Sequence, residues 1–209
     1  EFRSDVHIVR PTPLPCGVRI FRAIDYGLDA LACLFIALDS AGRAVVFREV
    51  YAHDLIVSAA AEAIREASEG LEIYRTFAPP DLWARQKDSG KSIATLFERS
   101  GVPLTPSDNN RVGGWLALKE WLHVQPMPEG GEDARLHIFS TCTELIRCLP
   151  SLLSDPKRIG DCRTEPHEIT HLPDALRYFA VMQTEPPREK AAAPRLRDFT
   201  GGVRRKNRF

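Results

Sequence analysis

The stretch Val18-Arg-Ile-Phe-Arg-Ala-Ile-Asp25-Tyr-Gly27 is the part of the chain that decides its fold. Apolar and polar residues alternate in its first half, which predicts a β-strand, and this strand runs directly into Asp25. Gly27 follows two residues later and permits a sharp turn. A strand that ends on a carboxylate presents it at the edge of the sheet, where it can hold a cation. Because turn chemistry also places Asp at strand ends, the role of Asp25 depends on what other segments bring beside it.

Further strand and helix patterns follow in a defined order. Strands are predicted at 18–25, 31–38, 43–51, 71–77 and 102–105, and helices at 55–67, 92–99, 109–122, 143–149 and from about 174 to 182. Residues 123–139 predict an inserted β-hairpin with a Pro/Gly-rich loop. The order βββαβαβα, interrupted by this hairpin and one helix, is that of the ribonuclease H-like fold. We therefore expect an α/β domain whose central mixed sheet is flanked by helices.

Composition suggests three regions. Residues 1–17 contain Pro11, Pro13 and Pro15 and predict an extended lead-in, and residues 18–184 predict the ribonuclease H-like domain. Residues 185–209 predict a disordered basic tail, since residues 188–209 carry eight Lys or Arg and two acids. Such a tail is commonly a solvated end. Its functional interpretation is a DNA contact, through Arg204, Arg205 and Lys206.

Global composition excludes several classes of protein. Lys+Arg and Asp+Glu both number 28, so net charge does not indicate a polyanionic partner. The five cysteines form no Cys-x-x-Cys pair and predict buried thiols in a reducing compartment. The longest apolar run, Ala30 to Leu38, is too short to cross a bilayer, and no signal peptide is recognisable. We expect a protein that is not secreted and has no membrane partner.

Three aspartates form the candidate catalytic site. In the ribonuclease H-like fold the C-terminal ends of the first and fourth strands lie side by side, and Asp25 and Asp81 occupy those ends. Adjacent carboxylates repel unless a divalent cation lies between them, and their hard oxygens favour one or two Mg²⁺ or Mn²⁺ ions. Asp174, near the start of the last helix, could supply a third ligand. Such a cluster can activate water and stabilise the leaving 3′ oxygen of a phosphodiester. The alternatives are a helix N-cap for Asp174 and a turn residue for Asp81.

Six short segments occur in a specific order between about residues 18 and 183: Ile24-Asp25-Tyr-Gly27, Phe47-Arg-Glu49-Val-Tyr51, Ala78-Pro-Pro-Asp81, Asn110-Arg111-Val-Gly113, Leu136-His-Ile-Phe-Ser-Thr-Cys-Thr-Glu-Leu-Ile146 and His171-Leu-Pro-Asp174-Ala-Leu-Arg-Tyr178. Together they resemble the nuclease domain of the large terminase subunit of tailed phages. The resemblance implies a metal-dependent endonuclease that cuts concatemeric viral double-stranded DNA during genome packaging. It also implies an ATPase domain, a small terminase subunit and a portal as partners, in the cytoplasm of an infected bacterium.

Carried across residue by residue, the resemblance makes Asp25, Asp81 and Asp174 the metal-binding acids and puts His171 beside them. One position departs from the family, which often has Asp immediately before this His where the chain has Thr170. A second acid is therefore missing there. Arg111 is interpreted as a phosphate contact near the cleft or as part of a solvated turn, and Lys119 as a weaker candidate for DNA binding.

Two other enzyme motifs and one non-enzyme alternative compete with this interpretation. His167-Glu168-Ile-Thr-His171 matches the H-E-x-x-H pattern of zinc peptidases, but Pro173 should interrupt the continuous helix that such a site requires. Gly90-Lys91-Ser92 ends like a phosphate-binding loop but lacks the leading Gly, since residue 85 is Arg85. We therefore expect no nucleotide site. The non-enzyme alternative is a nucleic-acid-binding domain of the same fold without catalytic activity.

Overall fold

A computed structural model describes residues 1–27, 29–85 and 90–183 of the chain, and nine strands and six α-helices lie in these ranges. The strands are β1 (Ile8–Val9), β2 (Arg19–Tyr26), β3 (Ala30–Leu38), β4 (Ala44–His53), β5 (Ile73–Ala78), β6 (Thr105–Pro106), β7 (Val124–Pro126), β8 (Glu132–Ala134) and β9 (Leu136–Phe139). The helices are α1 (Ser4–His7), α2 (Val57–Ala67), α3 (Ile93–Arg99), α4 (Arg111–Trp121), α5 (Thr143–Cys148) and α6 (His171–Met182). Short 3-10 helices cover Pro80–Trp83, Leu149–Ser151 and His167–Ile169.

Seven of these strands form one mixed sheet in the order β1-β9-β4-β3-β2-β5-β6. The strands β2, β3 and β4 form the predicted antiparallel meander, whereas β5 pairs parallel with β2, and β6 pairs parallel with β5. Ala23 of β2 lies opposite Phe77 of β5. Because the two strands run in the same direction, their C-terminal ends meet at one edge, as the sequence predicts.

Helices cover both faces of the sheet, and this explains the apolar sequence of β3. Every residue of β3 is buried. On one face Phe21 and Ala23 pack against the apolar sides of α4, α5 and α6, and on the other Ile24 packs with Ile64 of α2 and Phe97 of α3. Alternate residues of β2 thus serve two separate cores. None of the helices in the described ranges is long and apolar enough to span a membrane.

Three predicted elements differ from the structure. The hairpin predicted over 123–139 is limited to β7 and β8, because β9 leaves it and pairs parallel with β4 in the main sheet. The predicted extended lead-in contains α1 and β1, and β1 pairs parallel with β9 at the sheet edge. The last helix begins at His171, three residues before Asp174, so Asp174 is not its N-cap. The predicted tail lies outside the described residues.

Candidate active site

The first two predicted acids lie at the adjoining ends of two parallel strands. Asp25 is the penultimate residue of β2, and its side chain is 19% exposed. The strand β5 ends at Ala78 because Pro79 and Pro80 cannot continue its ladder, and Asp81 follows in a 3-10 turn, where it is exposed. The fold therefore places one half-buried and one exposed carboxylate on the same edge of the sheet.

The third acid is brought to this edge by α6, which packs across β2 and β3. Asp174 is buried in the first turn of α6, and Tyr178 lies one turn later. Burial raises the pKa of the Tyr178 hydroxyl, and the negative charges of Asp25, Asp174 and Asp81 raise it further. Helix α6 therefore adds a third acid beside the end of β2.

His171 bridges two carboxylates at the start of α6. Its Nδ1 lies 2.7 Å from Asp25 Oδ2, and its Nε2 lies 3.1 Å from Asp29 Oδ2. The hydrogen bond to Asp25 and the second bond to Asp29 raise the pKa of His171 to about 9, against the opposing effect of burial. At neutral pH the ring is therefore an imidazolium that donates through both nitrogens. Gly27 leaves room for this arrangement, because a Cβ there would lie 2.7 Å from Asp29 Oδ1.

The pKa of the Asp25 carboxyl group is raised above its ordinary value. Burial raises its pKa, the hydrogen bond from His171 opposes this rise, and the charge of Asp174 adds to it. Ionising Asp25 beside a second carboxylate costs free energy, so a nearby cation stabilises its ionised form. In this structure the nearest positive charge is the imidazolium of His171.

Two arginines hold Asp174. Arg177 Nε donates to Asp174 Oδ1 at 2.8 Å, and Arg111 Nη1 donates to the same oxygen at 3.1 Å. Arg177 is fully buried, and neither of its terminal nitrogens has a hydrogen-bond partner in the described part of the chain. Its guanidinium lies 4.4 Å from the ring centre of Tyr178 and 5.6 Å from that of Trp115, so aromatic faces stabilise its charge.

A further acid, Asp161, fixes Arg111 from the other side. Arg111 Nε donates to Asp161 Oδ1 at 3.1 Å, and the indole N–H of Trp115 donates to the same oxygen at 2.9 Å. Burial opposes ionisation of Asp161, but the N–H of Cys162, the charge of Arg111 and the Trp115 bond together lower its pKa. Arg111, which the sequence predicts as a phosphate contact, is thus half-buried between two carboxylates.

Two sets of donor atoms could hold a cation. The hard carboxylate oxygens of Asp25, Asp81 and Asp174 suit Mg²⁺ or Mn²⁺ by their chemistry. In the described residues, however, the group whose donor atoms all lie within 4.8 Å of one another is Asp29, His167 and His171. This second set mixes nitrogen and oxygen ligands and suits Zn²⁺ or Mn²⁺, with Asp25 orienting His171 through Nδ1.

The H-E-x-x-H sequence does not form the helix that a zinc-peptidase site needs. His167 to Ile169 is a 3-10 turn and α6 begins only at His171, so H-E-x-x-H does not occupy one continuous α-helix as a zinc peptidase requires. Pro173 lies in the first turn of α6, where backbone N–H groups have no partner within the helix. The missing N–H of Pro173 therefore does not weaken α6. Ser92 caps α3, its hydroxyl accepting the N–H of Thr95, as an ordinary helix start.

The remaining predicted DNA contacts have different environments. Lys119 is exposed near the end of α4 and borders a hollow beside Asp161. Arg204, Arg205 and Lys206 lie outside the described residues.

Three acids of structural importance were not part of the predicted site. Asp29 follows Gly27 by two residues, and its position in the turn after β2 was the signal that could have indicated it. Asp161 lies in an irregular segment that carries no periodic pattern. Glu49 accepts the backbone N–H groups of Glu144 and Leu145 at 2.8 and 2.9 Å, so it stabilises the start of α5 from the neighbouring strand.

Comparison with known proteins identifies relatives by structure alone. No protein-family model and no curated protein sequence matches the chain. The large terminase of a thermophilic bacteriophage, in complex with ATP-gamma-S, matches with a TM-score of 0.68 and 17% identity over 86% of this chain and 43% of that one. The P22 large terminase nuclease domain matches with a TM-score of 0.60 and 16% identity over 88% of this chain and 90% of that one.

A third match has similar extent. The large terminase nuclease from the thermophilic phage G20c gives a TM-score of 0.54 and 14% identity over 85% of this chain and 92% of that one. The chain thus spans less than half of the large terminase bound to ATP-gamma-S but nearly all of the two nuclease domains. These matches confirm the predicted ribonuclease H-like fold and show that it is the fold of terminase nuclease domains.

Proposed function

We propose, from the premise that this chain has the fold of terminase nuclease domains, that it is a divalent-metal-dependent endonuclease acting on double-stranded DNA. One observation carries the proposal. The parallel pairing of β2 with β5 puts the strand ends that precede Asp81 and carry Asp25 at one edge of the sheet, and α6 carries Asp174 in its first turn beside the end of β2. Carboxylates so placed are suited to phosphodiester hydrolysis.

The metal would be held mainly by the carboxylate oxygens at the strand ends. Within the described residues, no arginine donates a hydrogen bond to Asp25 or Asp81, whereas Asp174 accepts from Arg111 and Arg177. When bound, Mg²⁺ or Mn²⁺ would lower the pKa of a water molecule and stabilise negative charge on the leaving oxygen. The two arginines fix the orientation of Asp174.

His171 has two roles in this proposal. Its bond to Asp25 orients that carboxylate, and its raised pKa of about 9 keeps the ring protonated at neutral pH. A protonated imidazole beside the acids can donate a proton to a departing oxygen. Asp29 holds the ring from its outer side.

The substrate and partners follow from the same premise. Concatemeric viral DNA would be the substrate, and an ATPase domain, a small terminase subunit and a portal would be the partners, in the cytoplasm of an infected bacterium. Since the match covers 43% of the large terminase bound to ATP-gamma-S, the ATPase function belongs to sequence beyond that match.

Plasmid nicking tests the proposal directly. We expect cleavage in Mn²⁺ or Mg²⁺, none in EDTA, and loss of cleavage in Asp25→Asn and Asp81→Asn at matched metal concentration. Asp108→Asn, an exposed carboxylate beside α4, is the matched control and should cut normally. Metal-dependent cleavage that survives in both Asp25→Asn and Asp81→Asn would remove these residues from the site. A chain that binds DNA but cuts it under none of these conditions would instead be the catalytically inactive binding domain.

A zinc site is the second candidate, because Asp29, His167 and His171 gather within 4.8 Å. The 3-10 turn at His167 excludes the zinc-peptidase helix but leaves these three ligands together. Stoichiometric Zn²⁺ in the purified protein, lost in both His167→Ala and His171→Ala, together with no DNA cleavage in Mn²⁺, would support this candidate over the nuclease.

A further inference from the structure

A hollow that holds two arginine side chains lies on the face of the sheet opposite to Asp25. Its volume is about 510 Å³, and Arg22 and Arg65 line it. Arg75 borders it along β5, but it pairs with Phe21 and its side chain therefore points to the other face. The remaining lining residues are apolar or carry hydroxyl groups, and none is acidic. Arg22 and Asp25 are three residues apart on β2, so their side chains point to opposite faces. The hollow is therefore separate from the proposed catalytic site.

Arg22 is a buried cation without a carboxylate partner. It is 5% exposed, its Nε donates to Thr76 Oγ1 at 2.9 Å, and its Nη1 donates to Ser68 Oγ at 2.9 Å. Both acceptors are neutral, and no described carboxylate pairs with it. Burial lowers the pKa of Arg22, which reflects the cost of keeping this charge away from water. An anion in the hollow would offset that cost.

Arg65 stands at the mouth of the hollow. It is exposed at the end of α2 and lies against Gly101, where a Cβ would come 3.3 Å from Arg65 Cδ. Arg75 instead lies over Tyr74, 5.5 Å from its ring centre, beside Phe21 on the other face. Arg19 approaches the same ring at 5.4 Å. Since cations already occupy this aromatic ring, the hollow offers charge and N–H donors rather than a platform for base stacking.

We propose that this arginine hollow, formed by Arg22 and Arg65, binds a phosphoryl group. Guanidinium groups match phosphate oxygens through paired N–H donors, and the buried Arg22 provides a fixed charge at the base of the site. The phosphoryl group comes either from a free phosphate or from the DNA backbone, and these two sources share the same chemistry.

Binding measurements on the full chain in EDTA test the proposal without using nuclease activity. Calorimetric titration with inorganic phosphate, at constant ionic strength, should show saturable binding to the wild type. The double variant Arg22→Gln/Arg65→Gln should weaken it about tenfold or more, because each lost charge-assisted contact contributes on that scale. Arg65→Gln alone, at an exposed position, should weaken it in the same direction. Arg99→Gln removes one exposed arginine from α3, outside the hollow, and should bind phosphate as the wild type does.

A second titration with a short DNA duplex separates the two sources of phosphate. DNA affinity that falls in the double variant, with phosphate competing in the wild type, identifies the backbone as the source. DNA affinity that is unchanged, with phosphate binding still lost, identifies a free phosphate. Absence of saturable phosphate binding in the wild type, or equal phosphate affinity in the wild type and a folded double variant, would overturn the proposal. Circular dichroism confirms that the variants are folded.

Discussion

Asp161 shows how a single residue supports a site that it does not enter. It holds Arg111 and Trp115, and Arg111 in turn holds Asp174. Asp161→Asn keeps the size of the side chain but removes its charge. We expect the free energy of unfolding to fall by about 2 kcal/mol, since hydrogen bonds to charged groups contribute on that scale. Urea unfolding at pH 7 measures the loss, and Glu62→Gln on the exposed side of α2 should show almost none.

The same pair of proteins gives a prediction for pH. The pKa of Asp161 is lowered in the folded state from its ordinary value of 3.8. A lowered pKa means that the stabilisation is fully present above 3.8 and is lost as pH falls through the folded-state value. The difference in unfolding free energy between the wild type and Asp161→Asn should therefore be constant from pH 7 to about 5 and shrink in more acidic solution. A difference that grows on acidification would contradict this assignment.

The two histidines of the H-E-x-x-H sequence should have different effects on cleavage. His171 contacts Asp25 and is buried, whereas His167 is exposed, with ring centres 6.1 Å apart. We expect His171→Ala to cut plasmid DNA about tenfold more slowly or worse, since proton donation and orientation contribute at least that much. His167→Ala should cut almost normally and serves as the matched control. Equal losses in both variants would favour the metal site formed by Asp29 and the two histidines.

At the residue scale, sequence reasoning predicted Asp25 and His171 as neighbours but not the bridge through Asp29. Strand patterns and the family resemblance both indicated Asp25. Asp29 belongs to a turn, whose geometry depends on the lack of a side chain at Gly27 and on the position of α6. A contact between residues 142 positions apart, as between Asp29 and His171, cannot be read from local pattern.

At the scale of elements, β9 shows why local pattern was insufficient. Its sequence predicts a strand correctly. Because a Pro/Gly-rich loop precedes it, the sequence also predicted that it would pair with the strand before this loop in a hairpin. Leu136 and Ile138 are buried in the main core, and their burial draws β9 to β4 instead. The sequence thus predicted the type of the element, whereas its partner depended on long-range packing. The same is true of β1, which pairs with β9.

The packing of α4 against α6 depends on Gly114. A Cβ at this position would lie 2.7 Å from Cγ of Arg177, the fully buried arginine that donates to Asp174. Gly114→Ala should favour the helix intrinsically, but overpacking costs about 1–3 kcal/mol and displaces Arg177. We expect lower thermal stability and, since Asp174 loses its orientation, slower DNA cleavage.

Leu116→Ala, two residues later on α4, is the control for this prediction. Leu116 is 61% exposed, and Ala is a good helix former at this position. We expect its melting temperature and cleavage rate to stay near those of the wild type. If Gly114→Ala is as stable and as active as Leu116→Ala, close packing at Arg177 does not position Asp174.

At the scale of the whole molecule, charge is distributed unevenly although its total is balanced. Asp25 and Asp81 lie at one sheet edge, arginines line the hollow on one face, and residues 188–209 carry eight Lys or Arg against two acids. The proposed nuclease would act on long DNA and cannot depend on one rare sequence. Binding should therefore depend mainly on phosphate contacts, and affinity should fall steeply as salt increases.

Deleting residues 188–209 should make DNA binding less sensitive to salt. Each Lys or Arg that contacts a phosphate contributes about 0.9 to the slope of log affinity against log salt concentration. Fluorescence anisotropy with a DNA duplex in EDTA measures this slope without cleavage. The full-length variant Arg204→Gln/Arg205→Gln/Lys206→Gln separates charge from length, and we expect it to lose part of the slope that the deletion loses. If the deletion lowers affinity while the slope stays unchanged, the segment acts through its length and not through its charge. If neither quantity changes, the basic residues at this end of the chain do not contact DNA, and the salt dependence arises from the folded domain.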